Sequence, residues 1–141
     1  MSYVTAEAMI AKFGEQEIID LTSDRGFRTS INFEKLQMAL DAANSEIDGY
    51  LVGRYTLPLK VIPAFLVSLG CDMAHFHGSV GETVETNRTK TRYEIAIKNL
   101  VNISKGLISL GGAPAGESAP QATSSNNVMW SVGRNDFRGR C

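Results

Sequence analysis

Along one stretch of this chain, apolar residues recur at steps of three and four: Phe33, Leu36, Leu40, Ala43, Ile47 and Tyr50. A helix lines such positions up on one face, whereas a strand would scatter them to both. The stripe predicts one long helix that ends near Tyr55. Asn32 is placed to cap its free amides, with Ile31 and Leu36 at the spacing of a hydrophobic staple. Glu34, Lys35, Asp41, Glu46 and Asp48 fall on the opposite face. Gly49 and Gly53 each weaken a helix by about 1 kcal/mol relative to alanine, which marks them for a close neighbour or a bend.

The same periodicity organises the chain on either side. Thr5 reads as the cap of a first helix, with Val4 and Met9 as its staple and Met9, Ile10 and Phe13 as its apolar face. Gly14 is placed to end it in a left-handed cap. A short helical turn, Glu15 to Leu21, follows, and Thr22 to Gly26 reads as a loop. Leu57-Pro58-Leu59 stops the long helix, and Pro63 suits the first turn of the next. There Ile62, Leu66, Leu69, Met73 and Phe76 form a stripe that Phe65, Val67 and Cys71 widen, so this helix is expected to be central. A loop is expected over Gly78 to Gly81. The last helix is expected from Thr83 or Thr86 to Lys105, stopped by Gly106 and Leu107 in a Schellman motif. The fold class is therefore all-α: a small bundle of about four main helices with an extended Gly/Pro/Ser-rich C-terminal tail.

Composition agrees with a single domain. The chain has 141 residues, 43% hydrophobic and 21% charged, long enough for a core without disulfides or metals. Net charge is −1, from 14 basic and 15 acidic residues, which argues against a dedicated nucleic-acid binder. No apolar run is long enough to span a membrane, and the N-terminus lacks the basic segment and apolar block of a secretion signal. Cys71 and Cys141 read as reduced thiols.

After Leu110 the composition changes. Residues 1–110 read as the helical domain, 111–127 as a flexible linker, and 128–141 as a docking tip. The tip holds Val128, Met129, Trp130, Val132 and Phe137 among Arg134, Arg138 and Arg140. Ordering such a segment costs about 1–2 kcal/mol per residue, more than these side chains return, so it needs further contacts, from a partner or from the chain's own helices. Trp and Arg are the side chains most enriched at binding hot spots.

Little else points to chemistry. Cys71 and His75 are four apart, a metal-clip spacing, but two ligands from one helix do not fill a tetrahedral site. No group is placed to orient His75 as a base for Cys71, and no cofactor is implied. Asp72, on an otherwise apolar helix, is expected to accept hydrogen bonds from Arg54, Tyr55 or Arg92. The glycines do not have a phosphate-loop spacing. Arg88, Lys90 and Arg92 form a basic run on the last helix, read as a solvated face and as a candidate inter-subunit or partner surface.

One block is more specific. Ser45-Glu46-Ile47-Asp48-Gly49-Tyr50-Leu51, Arg54-Tyr55, Leu57-Pro58-Leu59, Pro63 and Asp72-Met73-Ala74 resemble the Mu-type phage head–tail connector family. Met9 to Gly14 with Leu21-Thr22 is similar to its opening motif, and Arg92-Tyr93 with Ile103 to Leu110 to its closing helix. The resemblance covers roughly residues 3–110. The loop after Leu21-Thr22 carries fewer acidic residues than in similar proteins, which argues against a cation there.

The resemblance implies a non-enzymatic adaptor in the virion neck, assembled in the host cytoplasm. It would form a homo-oligomeric ring, twelve-fold by family likeness, between the portal protein and a tail-side connector or tail terminator. Genomic DNA would pass without specific binding, and no membrane is involved. The tip residues Val128, Met129, Trp130, Val132, Arg134, Phe137, Arg138 and Arg140 would dock on the portal. The alternative is a small helical regulatory or DNA-binding protein, for which the Arg88 to Arg92 run is the available recognition surface.

Overall fold

The computed structural model describes residues 2–23, 29–79 and 87–111. Among them five helices follow one another: α1 (Ala6–Phe13), α2 (Glu15–Thr22), α3 (Phe33–Leu51), α4 (Ala64–Ser79) and α5 (Asn87–Ser104). There is no strand among the described residues, so the all-α class holds. The expected loops over 24–26 and 80–81, the helix start at Thr83 or Thr86, the linker after Gly111 and the tip lie outside the described residues.

Local chemistry sets the helix ends. The Thr5 hydroxyl accepts from the Ala8 amide at 3.3 Å, and Asn32 Oδ1 accepts from the Glu34 and Lys35 amides at 3.2 and 3.3 Å. Gly14 does stop α1, but not in the left-handed helical region: its φ is 91° and its ψ 152°. The residue that closes α1 also opens α2, so the two helices share one glycine and need no linker.

At the far end of the chain, the Leu107 amide donates to Asn102 O at 2.9 Å and the Gly106 amide to Ile103 O at 3.0 Å. With Gly106 at φ 77°, this is the expected Schellman stop.

Two boundaries move. The long helix ends at Leu51 rather than near Tyr55. The Arg54 and Tyr55 amides both return to Leu51 O, at 3.0 and 2.8 Å, and close the chain into a turn before the cis Leu57–Pro58 bond. Conversely, α4 runs through Gly78 to Ser79, past the expected loop start.

α4 packs against all four other helices, as its wide apolar stripe predicts, and α3 and α5 also pack on each other. Leu36, Leu40, Ala43, Ile47 and Leu51 of α3 meet Leu66, Leu69, Met73 and Ala74 of α4 and Ala96, Leu100 and Ile103 of α5. Each fully buried Leu, Ile or Met in this core is worth about 1.5–3 kcal/mol. Met9 and Ile18 bring α1 and α2 onto the same core.

Two stripe members fall outside it. Phe33, in the first turn of α3, is 65% exposed, and Phe65, near the start of α4, is 44% exposed. Both sit at helix ends, beyond the reach of the neighbouring helices.

The N-terminal stretch is clasped into the bundle. Asn44 Oδ1 accepts from the Tyr3 and Val4 amides at 2.8 and 3.1 Å, and Val4 presses on Gly70, where a Cβ would collide with Val4 Cγ2. The close approach in this fold is thus at Gly70. Gly49 and Gly53, marked for that role by sequence, have no atom of the described chain within 4 Å of a Cβ position.

Candidate functional site

Several half-buried polar side chains tie one helix to another. Glu46 on α3 uses both carboxylate oxygens: Oε1 accepts from the Tyr93 hydroxyl of α5 at 2.8 Å, and Oε2 lies 2.9 Å from His77 Nε2 of α4. Phe76 stacks on Tyr93 with ring centroids 4.0 Å apart. Burial, then the Glu46 carboxylate, push the Tyr93 phenol up to about 12. The Tyr3 hydroxyl donates to Asp48, and burial with this bond raises the Tyr3 phenol as well. Glu46 and Asp48 are therefore half-buried partners rather than members of a solvated face.

The Cys71–His75 pair is not organised as a site. Cys71 is buried, and burial pushes its thiol up, away from the reactive thiolate. The sequence offers no group to orient His75, but the fold brings one from α2: Glu17 Oε1 lies 3.0 Å from His75 Nε2. Among the described residues, no three His, Cys, Asp or Glu side chains converge as a metal site.

Asp72 accepts from Lys12 Nζ at 2.8 Å, not from Arg54, Tyr55 or Arg92. Lys12 also donates to Ser68 O and Oγ, both at 2.9 Å. The lysine of α1 was nearer than any arginine because α1 lies directly across α4.

The sequence-selected basic run divides. Arg88 and Lys90 are exposed on α5, while Arg92 is half-buried with its guanidinium 5.8 Å from the Phe13 ring. The eight tip residues, Val128 to Arg140, lie outside the described residues.

The structure adds a surface that periodicity did not single out. Val52, Val61, Phe65 and Leu107 are all exposed, Val61 and Leu107 at 78% and 74%. They belong to the α3–α4 connection, the start of α4 and the stop of α5. That these segments share one end of the bundle is shown by Tyr55 OH, which accepts from the Leu110 amide at 3.2 Å, and by Arg54, whose guanidinium lies over Gly106. The described chain also ends here, at Gly111. This end of the described bundle thus exposes four apolar side chains alongside Lys60 and Lys105, and the described chain ends there. Isolated apolar residues in connections have no period to reveal them in sequence.

This bundle, with its shared glycine, its cis-proline connection and its Schellman stop, corresponds to sequence positions that a known family also covers. Residues 3–129 match the family described as Bacteriophage Mu, Gp36. The chain belongs to this family. The match to Gp36 runs past residue 110, where the sequence resemblance ended, into the segment beyond α5.

Two relatives agree. The Mu-like prophage FluMu protein gp36 of Haemophilus influenzae is 39% identical over 82 residues, 58% of this chain. That alignment spans 57% of the relative's own length, a little over half. Gene product J of Escherichia phage Mu is 27% identical over 135 residues, covering 92% of this chain and 94% of that protein. This Gp36-family chain is therefore a Mu-type phage protein. No helix among its described residues is long and apolar enough to cross a membrane.

Proposed function

We propose that this protein is a structural, non-enzymatic head–tail connector of a tailed phage. It would form a ring of its own copies in the virion neck, beneath the portal, and join the DNA-filled head to the tail. Membership of the Gp36 family over residues 3–129 carries this reading, together with the resemblance of the Ser45 to Pro63 block to head–tail connectors.

The architecture supports it in two respects. Glu46 with His77 and Tyr93, and Glu17 with His75, tie helix to helix, which suits a rigid building block. The end bearing Val52, Val61, Phe65 and Leu107 is also where the described chain ends, at Gly111, so in this reading one end of each subunit offers two means of attachment. In this reading that end meets the portal, with Trp130 and Phe137 as apolar anchors and Arg134, Arg138 and Arg140 pairing with acidic groups. The opposite end would face the tail-side connector or tail terminator.

Electron microscopy of a lysate from phage lacking this gene tests the reading. Filled heads and complete tails that fail to join are the expected result. Normal, infectious particles would overturn it and favour the regulatory or DNA-binding alternative, which a salt-sensitive gel shift would then support.

A further inference from the structure

The charges of the described chain are sorted by helix. α5 carries Arg88, Lys90, Arg92 and Lys98 against one acid, Glu94; α3 carries Glu34, Asp41, Glu46 and Asp48 against one base, Lys35. The whole protein is close to neutral, so this is a separation of sign rather than an excess.

The outward faces of the two helices repeat the contrast. On α3 the solvent side presents Glu34, Lys35, Met38, Asp41, Ala42, Ser45 and Gly49, one helical face, with Met38 73% exposed. On α5 it presents Arg88, Thr91, Ile95 and Lys98, spaced by three and four, with Ile95 54% exposed and Lys105 just beyond. Each face has an apolar residue and an excess of one sign: exposed Lys35 is the one base beside Glu34 and Asp41, and exposed Glu94 is the one acid among Arg88, Lys90 and Lys98. The acidic face is also the smoother one, because Ala42, Ser45 and Gly49 leave room for another helix to approach.

We propose that the acidic outward face of α3 in one copy packs against the basic outward face of α5 in the next copy. The occupant of each face is a second copy of this chain. Opposite charges, Asp41 against Lys98 and Glu34 against Arg88, set partner and register with the two helices parallel, while Met38 and Ile95 supply apolar contact. The two faces are different surfaces, so the contact is head-to-tail and leaves one free face of each kind at the ends of an open oligomer until a ring closes. This rests on the reading of the protein as a ring of identical subunits, and it says which sides of the subunit build that ring.

The test uses the full-length chain in a Cys141→Ser background, leaving the buried Cys71 in place. Met38→Cys and Ile95→Cys are introduced singly and together, and the proteins are treated with copper phenanthroline at low salt. The double variant should give a ladder of disulfide-linked species beyond the dimer, and each single variant should stop at the dimer. Adding Asp41→Lys or Lys98→Glu to the double-cysteine chain should cut the ladder by about tenfold, and adding both should restore it. A double variant with no more ladder than the singles overturns the proposed contact. Native mass spectrometry of the wild-type chain then separates the two failures. Oligomers would leave the ring standing on other faces, and a monomer at every concentration would remove the ring as well.

Discussion

The Tyr93 hydroxyl of α5 donates to Glu46 Oε1 of α3 at 2.8 Å, and the same carboxylate holds His77 of α4 through its other oxygen. Burial and Glu46 push the Tyr93 phenol up to about 12, above its ordinary value of 10.0. The folded state therefore holds this proton more tightly than the unfolded chain. Its stabilisation is fully present below about pH 10 and is lost as pH rises from there toward about 12. Urea midpoints measured across that alkaline range should fall, and Tyr93→Phe should make the fall shallower. Tyr3, raised in the same direction by burial and Asp48, keeps the slope from vanishing. At neutral pH, Tyr93→Phe should cost about 0.5–1.5 kcal/mol. An unchanged alkaline slope in that variant would contradict the assignment.

Gly70→Ala should destabilise the bundle by about 1–3 kcal/mol, because the added methyl meets Val4 Cγ2 and then Ile47 Cδ1 at 3.1 Å. The companion change Val4→Ala makes room, so the double variant should lose less than the two single losses added together. Denaturant midpoints of the four proteins close that cycle.

Gly49→Ala should do the opposite. The position is helical and exposed, with no atom of the described chain near its Cβ, so alanine should stabilise the isolated chain by about 0.5–1 kcal/mol. A thermal melt of the monomer reads this directly.

Lys12→Met should loosen α1 from α4. It removes the donor shared by Ser68 and Asp72 and leaves the Asp72 carboxylate, 16% exposed, without that partner. A loss of about 1–2 kcal/mol is expected, discounted for the partial exposure of the pair. Lys12→Met combined with Asp72→Asn should recover part of it.

Trp130→Ala should weaken portal binding by about 2 kcal/mol or more if the tip anchors there. Titration of the full-length variant against portal rings measures it, and unchanged affinity would remove Trp130 from the docking role.

The helices and their caps were legible because they depend on neighbours in sequence. Thr5, Asn32 and Gly106 do in the structure what their residue types prescribe, and the central place of α4 follows from its broad apolar surface. What depends on neighbours in space was not legible. Asp72 found Lys12 rather than an arginine because only the fold brings α1 across α4. Gly70, not Gly49, takes the tight contact, since nothing in the local sequence shows where Val4 will arrive. The long helix stops at Leu51, whose carbonyl accepts from both the Arg54 and the Tyr55 amides, a turn geometry that an apolar stripe does not encode. The exposed end of the bundle was missed for the same reason: its four apolar residues come from three separate segments.

The clasp on the N-terminal stretch has a consequence for the order in which the molecule can be made. Tyr3 and Val4 leave the ribosome before the residues that hold them, since the amide-binding oxygen belongs to Asn44 and the glycine that admits Val4 is Gly70. Until α4 has been synthesised, this stretch has no seat. Helices α1 and α2, made before α3 and α4, are therefore the ones that must wait, and they settle onto a groove assembled from residues made after them.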